Sequence, residues 1–167
     1  INPATEEVLG QASKATPTDV ERALKSAEKG LQVWRKTPPW QRAYTLRKIA
    51  DLMREKQDVL AKWMTLEVGK PLAEGKGEVA GAADIFEWNS EETKRIYGQT
   101  VESRFEDTRV HIYYQPVGVV AGLSPWNFPL VLSARKVSTA LAAGCSVIIK
   151  PDVITPGVVT VSYTHLT

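Results

Sequence analysis

The stretch 117–150 limits the possible folds of this chain more than any other. Residues 117–123, VGVVAGL, form an apolar run without alternation, which is typical of a strand covered on both faces in a parallel sheet. Residues 129–143 predict a helix that ends at Gly144, and SVIIK at 146–150 predicts a second short strand. A strand, a helix and a strand within this length form a right-handed βαβ unit with parallel strands. The chain is therefore expected to build part of an open α/β sheet.

The two predicted strands bring polar residues to one edge of that sheet. The carboxyl ends of parallel strands meet at the same edge, and ligands of open α/β sheets bind in the crevice beyond it. The candidate segments are Ser124-Pro125-Trp126-Asn127 and Lys150-Pro151-Asp152. Because the Gly-x-Gly-x-x-Gly fingerprint is missing from the first turn, the motif alone does not assign a dinucleotide.

Lys150 and Asn127 each allow a structural and a functional interpretation. A lysine at a strand end can bind ribose hydroxyls or a phosphate, although such a lysine is often only solvated. Asn127 can serve as the N-cap of the helix at 129–143, with Phe128 and Pro129 in its first turn. The residues by themselves leave both alternatives open.

Residues 1–98 are expected to be helical. Thr18 and Glu21 predict a capping box for a first helix, whose apolar residues recur at helical spacing until about Arg35. The mixed charges on its other face are expected to be solvated surface.

Two more helices are expected before the sheet. One helical pattern covers 46–64 and is stopped by Gly69 and Pro71. The next is expected over 72–97, with Gly98 as its C-terminal cap.

Residues 99–115 predict a β-hairpin. The stretch VHIYY at 110–114 alternates at strand spacing, and the polar residues 103–108 predict the turn. His111 and Tyr113 either lie on the surface of a half-buried ribbon or belong to an oligomer contact, since an exposed strand edge needs cover. Both interpretations remain open.

Composition excludes several classes of function. The 21 basic and 19 acidic residues are spread along the chain and give a net charge of +2, so no nucleic-acid partner is expected. No apolar run approaches the roughly 20 residues of a membrane span, no leader pattern opens the chain, and a cytoplasmic location is expected. Cys145 is a single cysteine, and His111 and His165 lack metal-ligand spacing, so neither disulfide nor metal is expected.

The run QPVGVVAGLSPWNFPLVLSARKVSTALAAGCSVIIKP closely resembles the NAD(P)-dependent aldehyde dehydrogenase superfamily, in which PWNFP, AAGC and IIKP occur at this mutual spacing. The preceding EVGKPLAEGKGEVAGAADIFEWNSEETKRIYGQT is similar to the succinate-semialdehyde dehydrogenase branch. The resemblance extends to about residue 156 and implies an incomplete aldehyde dehydrogenase fold of class α/β. Residues 1–98 would be the helical part of the coenzyme-binding domain, 99–115 an oligomerisation arm, and 116–157 the first βαβ unit of the NAD(P)-binding domain.

The resemblance also implies roles for the segment between the strands. In this family the asparagine of PWNF donates its side-chain amide to the aldehyde oxygen, which makes Asn127 an expected catalytic residue. Ser124, Pro125 and Trp126 would lie along the cofactor with Asn127, and Lys150 would hold the adenine ribose. The family binds its cofactor without the usual glycine fingerprint.

Cofactor and substrate preference are expected to depend on three further positions. Val153 stands where the family often has a glutamate that binds the adenine ribose, so both NAD and NADP are expected to be accepted. Phe128 would line the aldehyde tunnel, and Arg135, seven residues later and expected on the same helix face, would grip a distal carboxylate. Alternatively, Arg135 only extends from a partly apolar helix to water.

The resemblance implies oxidation of an aldehyde, such as succinate semialdehyde, to a carboxylate through a cysteine thioester in a homodimer or homotetramer. The family's catalytic Cys and Glu have no counterpart in this chain, and Cys145 matches the AAGC position, not the nucleophile. This chain alone is therefore expected to be inactive. The alternative is a catalytically silent cofactor-binding or assembly module of the same fold.

The last segment, 158–167, is expected to be anomalous. The resemblance implies a helix rich in Ala and Leu after residue 156, whereas GVVTVSYTHLT is rich in β-branched residues and lacks a helical pattern. A foreign or misread end is the hypothesis, and Tyr163 and His165 are given no function.

Overall fold

The computed structural model describes the backbone of residues 1–166 and the side chains of residues 1–162. Within this part the elements follow in the order α1 (Pro17–Trp34), α2 (Pro39–Glu55), α3 (Gln57–Val68), α4 (Leu72–Thr93), β1 (Gln99–Glu102), β2 (Arg109–Ile112), β3 (Val119–Leu123), α5 (Pro129–Ala142), β4 (Ser146–Lys150) and α6 (Pro156–Leu166). The strands β1 and β2 form an antiparallel pair, and β3 and β4 form a parallel pair. The predicted order of helices, hairpin and βαβ unit is confirmed.

Helix α4 lies at the centre of the core. It packs against α2, α3 and α5, and these helices bury their apolar faces together. The largest fully buried apolar side chains among them are Leu46, Met53, Leu60, Met64 and Val79. Burial of this size stabilises the fold by about 1.5–3 kcal/mol for each large side chain.

Two predicted helix boundaries in this bundle are wrong. The pattern over 46–64 is divided at Lys56, whose backbone leaves the helical region, so α2 and α3 are separate helices that both pack on α4. Helix α4 ends at Thr93, and Gly98 is not its cap. A Cβ at Gly98 would lie 2.4 Å from the Ile112 carbonyl oxygen, so this glycine is needed for the close approach of β2.

Helix α1 begins with a capping box two residues earlier than predicted. The backbone N–H of Asp19 donates to Thr16 Oγ1, and the backbone N–H of Thr16 donates to Asp19 Oδ2 at 2.9 Å. Thr16 is followed by Pro17, whose fixed φ suits the first helical position, so Thr18 and Glu21 do not form the cap. The helix contacts β4, and the Trp34 indole N–H donates to the Leu141 carbonyl at 2.8 Å.

The predicted βαβ unit is confirmed, and its parallel register aligns Val119 with Ser146 and Leu123 with Lys150. The turn after α5 uses Gly144 at φ 85°, a left-handed conformation that favours glycine. The expectation that both faces of β3 are covered is wrong for the described residues. Most of β3 is half-buried or exposed, although both α5 and α1 contact it.

The hairpin extends from the rest of the molecule. All residues of β1 and β2 are exposed, so the interpretation as a half-buried ribbon is wrong. Thr100 Oγ1 and His111 Nδ1 lie 3.0 Å apart across the two strands. An oligomer contact through this arm stays a prediction.

The tail forms a helix, which corrects the expectation that residues 157–167 lack one. In α6, Val158 and Val159 are buried against α3 and α5, and this packing outweighs the weak helix propensity of β-branched residues. The side chains of Tyr163 and His165 lie outside the described part, and a foreign origin of the tail stays a prediction. None of the helices in the described part is long and apolar enough to cross a membrane.

Candidate cofactor and substrate site

The carboxyl ends of β3 and β4 meet as the sequence predicts. Leu123 pairs with Lys150, and the backbone N–H of Ser124 donates to the Lys150 carbonyl at 3.1 Å. The segments 124–128 and 150–155 therefore leave the sheet side by side. We call this edge the strand-end site.

Exposed side chains of several kinds lie at the strand-end site. Lys150 is exposed, as are the Trp126 ring and Val153, which is 81% accessible. The second segment is fixed by a turn, in which the Ile154 backbone N–H donates to Asp152 Oδ1 at 3.0 Å. The site thus offers one ammonium group and several apolar surfaces to a ligand.

Ser124 is directed into the protein. Its side chain is buried, and its Oγ accepts a hydrogen bond of 2.8 Å from Ser133 Oγ on α5. Pro125, which follows it, is exposed. Contact of Ser124 with a cofactor stays a prediction, and in this structure its backbone is the part near the edge.

Asn127 is not the N-cap of α5, because Phe128 occupies that position. The Phe128 side chain makes no capping hydrogen bond to the first turn of the helix. The Asn127 side chain is exposed, and within residues 1–162 its amide group makes no hydrogen bond, so its donors are free for a ligand. Its backbone carbonyl is held from behind by Lys70 Nζ at 3.2 Å. Sequence reasoning thus placed Asn127 at the edge but gave it the wrong structural alternative.

Glu78 of α4 caps α5 instead. Glu78 Oε1 accepts the backbone N–H groups of Leu130 at 3.0 Å and Val131 at 3.2 Å. Pro129 at the first helical position has no N–H, so these are the first two donors that α5 offers. Negative charge at a helix N-terminus is also favoured by the helix dipole.

Lys70 completes this arrangement. Its Nζ lies 2.5 Å from Glu78 Oε2 and 3.8 Å from the centre of the Phe128 ring, as well as near the Asn127 carbonyl. The side chains of Lys70 and Glu78 are 8% and 1% accessible. We call these two residues the buried pair.

A second buried glutamate supports the other segment of the site. Glu67 of α3 accepts the backbone N–H of Gly157 at 2.5 Å and that of Val158 at 2.9 Å, at the start of α6. A Cβ at Gly157 would lie 2.8 Å from Glu67 Oε1, so glycine leaves room for the carboxylate. Thr155, fully buried, places its Oγ1 3.5 Å from the Trp126 carbonyl, a long contact between the two segments.

The predicted substrate residues do not share a helix face. Phe128 lies just before α5 with a non-helical backbone, so the seven-residue spacing to Arg135 does not place them together. Both side chains are exposed, Phe128 beside the buried pair and Arg135 on the outer side of α5. The roles of both residues in substrate binding stay predictions.

Sequence reasoning missed Lys70, Glu78 and Glu67, which lie within residues 1–98, where no site residue was predicted. A signal was present for the glutamates. Glu78 falls in the apolar stripe of α4, between Gly75 and Ala82, and Glu67 lies three residues after Met64 in the stripe of α3. A carboxylate within an apolar stripe needs a partner, because a buried unpaired charge is very unfavourable.

An apolar cavity of about 470 Å³ lies elsewhere, between α1, α5 and β4. Trp34, Phe86, Leu141 and Val147 are among its lining residues. None of the predicted site residues lines it, so it is separate from the strand-end site.

A parallel βαβ unit with exposed polar groups beyond its strand ends defines the class: the chain contains the beginning of an open α/β sheet of the ligand-binding kind. Its sequence matches the aldehyde dehydrogenase family over residues 1–166, and the chain belongs to that family.

Named relatives agree with this assignment. The glutarate-semialdehyde dehydrogenase of Pseudomonas aeruginosa is 48% identical over 155 residues, and the NADP-dependent succinate-semialdehyde dehydrogenase of Escherichia coli is 46% identical over 155 residues. Each alignment covers 93% of this chain and 32% of the relative, so the chain spans about a third of their length. The crystal structure of an E. coli NADP dependent enzyme matches with a TM-score of 0.97 and 43% identity, over 99% of this chain and 34% of that one. The predicted aldehyde dehydrogenase fold is confirmed.

Proposed function

We propose that the complete protein containing this chain oxidises a carboxylate-bearing semialdehyde, such as succinate or glutarate semialdehyde, to the corresponding acid with NAD or NADP. The observation that carries the proposal is the placement of the free Asn127 amide beside the Lys150 strand end. Both relatives named above are semialdehyde dehydrogenases, which supports the substrate class.

The residues at the strand-end site fit a dinucleotide. The exposed Lys150 ammonium can donate to ribose hydroxyls, and the Trp126 ring offers an apolar surface. Val153 carries no charge that would repel a 2′-phosphate, and the name of the E. coli relative specifies NADP. When bound, the nicotinamide cofactor accepts the hydride that leaves the substrate.

Asn127 would supply electrostatic stabilisation. Its amide N–H donates to the aldehyde oxygen and binds more strongly as negative charge develops there in the tetrahedral intermediate. Lys70 holds the residue by its backbone carbonyl and leaves the side-chain amide free, so little reorganisation is needed.

The reaction also needs a thiol and a base from outside residues 1–167. Cys145, the sole cysteine of the sequence, is buried at the start of β4 and does not reach the strand-end site. We therefore assign this chain the oxyanion donor and part of the cofactor site, and expect residues 1–167 alone to be inactive.

The test is steady-state kinetics of the enzyme encoded by the complete reading frame, with succinate semialdehyde, glutarate semialdehyde and a neutral aldehyde, each with NAD and NADP. We expect acid formation with both cofactors and a preference for the semialdehydes. Asn127→Ala should lower kcat by about 10²–10³-fold, because loss of one oxyanion donor costs about 2.7–4 kcal/mol.

Asn89→Ala provides a matched asparagine control, since Asn89 bonds to Ser138 and Ile85 away from the strand-end site. The folded Asn89→Ala variant should have the kcat of the wild-type enzyme. Absence of NAD(P)-dependent acid formation from all three aldehydes by the wild-type enzyme would refute the proposed function.

A further inference from the structure

We propose that Lys70 and Glu78 are positioning residues that hold Asn127 and Phe128 in place for aldehyde oxidation. This inference rests on the proposed function. The two charged residues belong to the helical part of the chain. Lys70 lies 57 positions before Asn127, and Glu78 lies 52 positions before Leu130.

Lys70 contacts the segment at two consecutive residues. Its ammonium group donates to the Asn127 carbonyl at 3.2 Å and lies 3.8 Å from the centre of the Phe128 ring. The first contact limits rotation of the peptide after Asn127, and the second is a cation–π interaction that fixes the plane of the ring. One buried charge therefore orients both the expected oxyanion donor and the expected tunnel residue.

Glu78 fixes the end of the same segment. With Oε1 it accepts the N–H groups of Leu130 and Val131, and with Oε2 it accepts from Lys70 at 2.5 Å. Since the N-cap Phe128 has no side-chain acceptor, the start of α5 depends on this carboxylate. The pair thus defines where the helix begins relative to Asn127.

The residues on either side of Lys70 restrict its backbone. It lies between Gly69, which ends α3 in a left-handed conformation, and Pro71, which precedes α4. Little freedom remains in this short connection. The distance between Lys70 and the strand-end segment is therefore determined by the packing of α3 and α4.

The expected consequence of losing the pair is a change in kcat more than in cofactor binding. The buried pair lies behind Asn127 and Phe128, whereas Lys150 and Val153 belong to the other segment. Small displacements of a reacting group reduce the rate of the chemical step strongly.

The test uses Lys70→Met and Glu78→Gln in the complete enzyme, with Lys70→Arg as the conservative variant. We expect Lys70→Met to lower kcat roughly 10- to 100-fold with the KM for NAD(P) changed less than about threefold, and Glu78→Gln to act in the same direction. Lys70→Arg should recover much of the loss, because it keeps the charge and the donors. Lys76→Met, at a lysine of α4 that pairs with Asp58 and is 44% accessible in its side chain, should leave kcat unchanged.

A second measurement needs no activity. Hydrogen–deuterium exchange of residues 124–131 in the complete protein should accelerate in Lys70→Met and Glu78→Gln but not in Lys76→Met. Unchanged exchange together with unchanged kcat in the two variants would overturn the inference. If the wild-type enzyme oxidises none of the aldehydes, the proposed function fails, and the exchange data still decide whether the pair orders the segment.

Discussion

Pro129 starts α5 without a backbone N–H, and the residues around it show how single side chains build the strand-end site. The first free N–H groups of the helix go to Glu78, while the preceding carbonyl goes to Lys70. The helix end is therefore satisfied from inside, and the Asn127 amide is left to face outward. If Asn127 capped α5, its side-chain amide oxygen would accept a backbone N–H of the first turn.

A substitution at Arg135 tests how a single side chain affects substrate choice. Arg135→Ala should lower kcat/KM for succinate semialdehyde by roughly 10- to 100-fold, since hydrogen bonds to charged groups contribute about 1.5–3 kcal/mol. Oxidation of a neutral aldehyde should not change. Kinetics with both substrates measure the difference.

Arg95→Ala is a suitable control for that experiment. Arg95 is an exposed arginine that pairs with Glu92 at the end of α4, outside the strand-end site. An equal loss of activity with neutral and acidic aldehydes in Arg135→Ala would show that Arg135 does not recognise the carboxylate.

Among the elements, α2 and α4 are joined by ion pairs as well as by their apolar faces. Glu87 accepts from Arg54 and pairs with Arg47, and Arg54 also donates to Asp84 at 2.8 Å. The hydrogen bonds from Arg54 and then Arg47 lower the pKa of Glu87 below its usual range. These side chains are partly exposed, so salt is expected to weaken the network.

The lowered pKa of Glu87 predicts an acid-dependent contribution to stability. Because the folded form holds the carboxylate more strongly than the unfolded form, the stabilisation is present above the ordinary pKa of about 4.3 and is lost as pH falls through the lowered value. Glu87→Gln should therefore lower Tm at about pH 7 and have little effect at about pH 2. Thermal unfolding by circular dichroism across this range measures the difference.

The control for this pH series is Glu28→Gln, which changes an exposed glutamate in the middle of α1, away from the helix ends. Its Tm should follow the wild-type curve at every pH. A constant difference between Glu87→Gln and wild type down to about pH 2 would contradict the assignment, because it would show that the charge of Glu87 is not responsible.

Across the whole molecule, the helical part and the βαβ unit are joined by two buried glutamates. Glu78 reaches the start of α5, and Glu67 reaches the start of α6, about 90 residues later in the chain. Both helices begin with a proline, and both carboxylates bind the next two backbone N–H groups. The same device thus fixes both segments of the strand-end site to the bundle.

Removing Glu67 should test how far this connection stabilises the protein. Glu67→Ala leaves two backbone donors without their acceptor and should reduce the free energy of unfolding by about 1–3 kcal/mol. Urea unfolding measures the loss. Glu55→Ala, an exposed glutamate at the end of α2, should change it by no more than about 0.5 kcal/mol.

A loss for Glu67→Ala no larger than that for Glu55→Ala would mean that water replaces the carboxylate at the start of α6. The connection would then contribute little to stability, and the position of α6 would depend on the burial of Val158 and Val159.

The sequence by itself determined that helices precede a hairpin and a parallel βαβ unit, and that the segments of Asn127 and Lys150 lie at one edge of the sheet. These follow from local signals: apolar runs, glycine and proline at helix ends, and the rule that parallel strands end at one edge. Its family followed from the motifs PWNFP, AAGC and IIKP at their spacing.

Only the tertiary structure decided which groups satisfy the helix ends and which orient the site. Glu78, Lys70 and Glu67 act on residues 52 to 91 positions away, and no local pattern specifies a partner at such a distance. Helix α6 formed against its β-branched composition for the same reason, because burial and a distant carboxylate outweigh weak local propensity. Contacts of this kind depend on how the helices pack, and packing exists only in the folded chain.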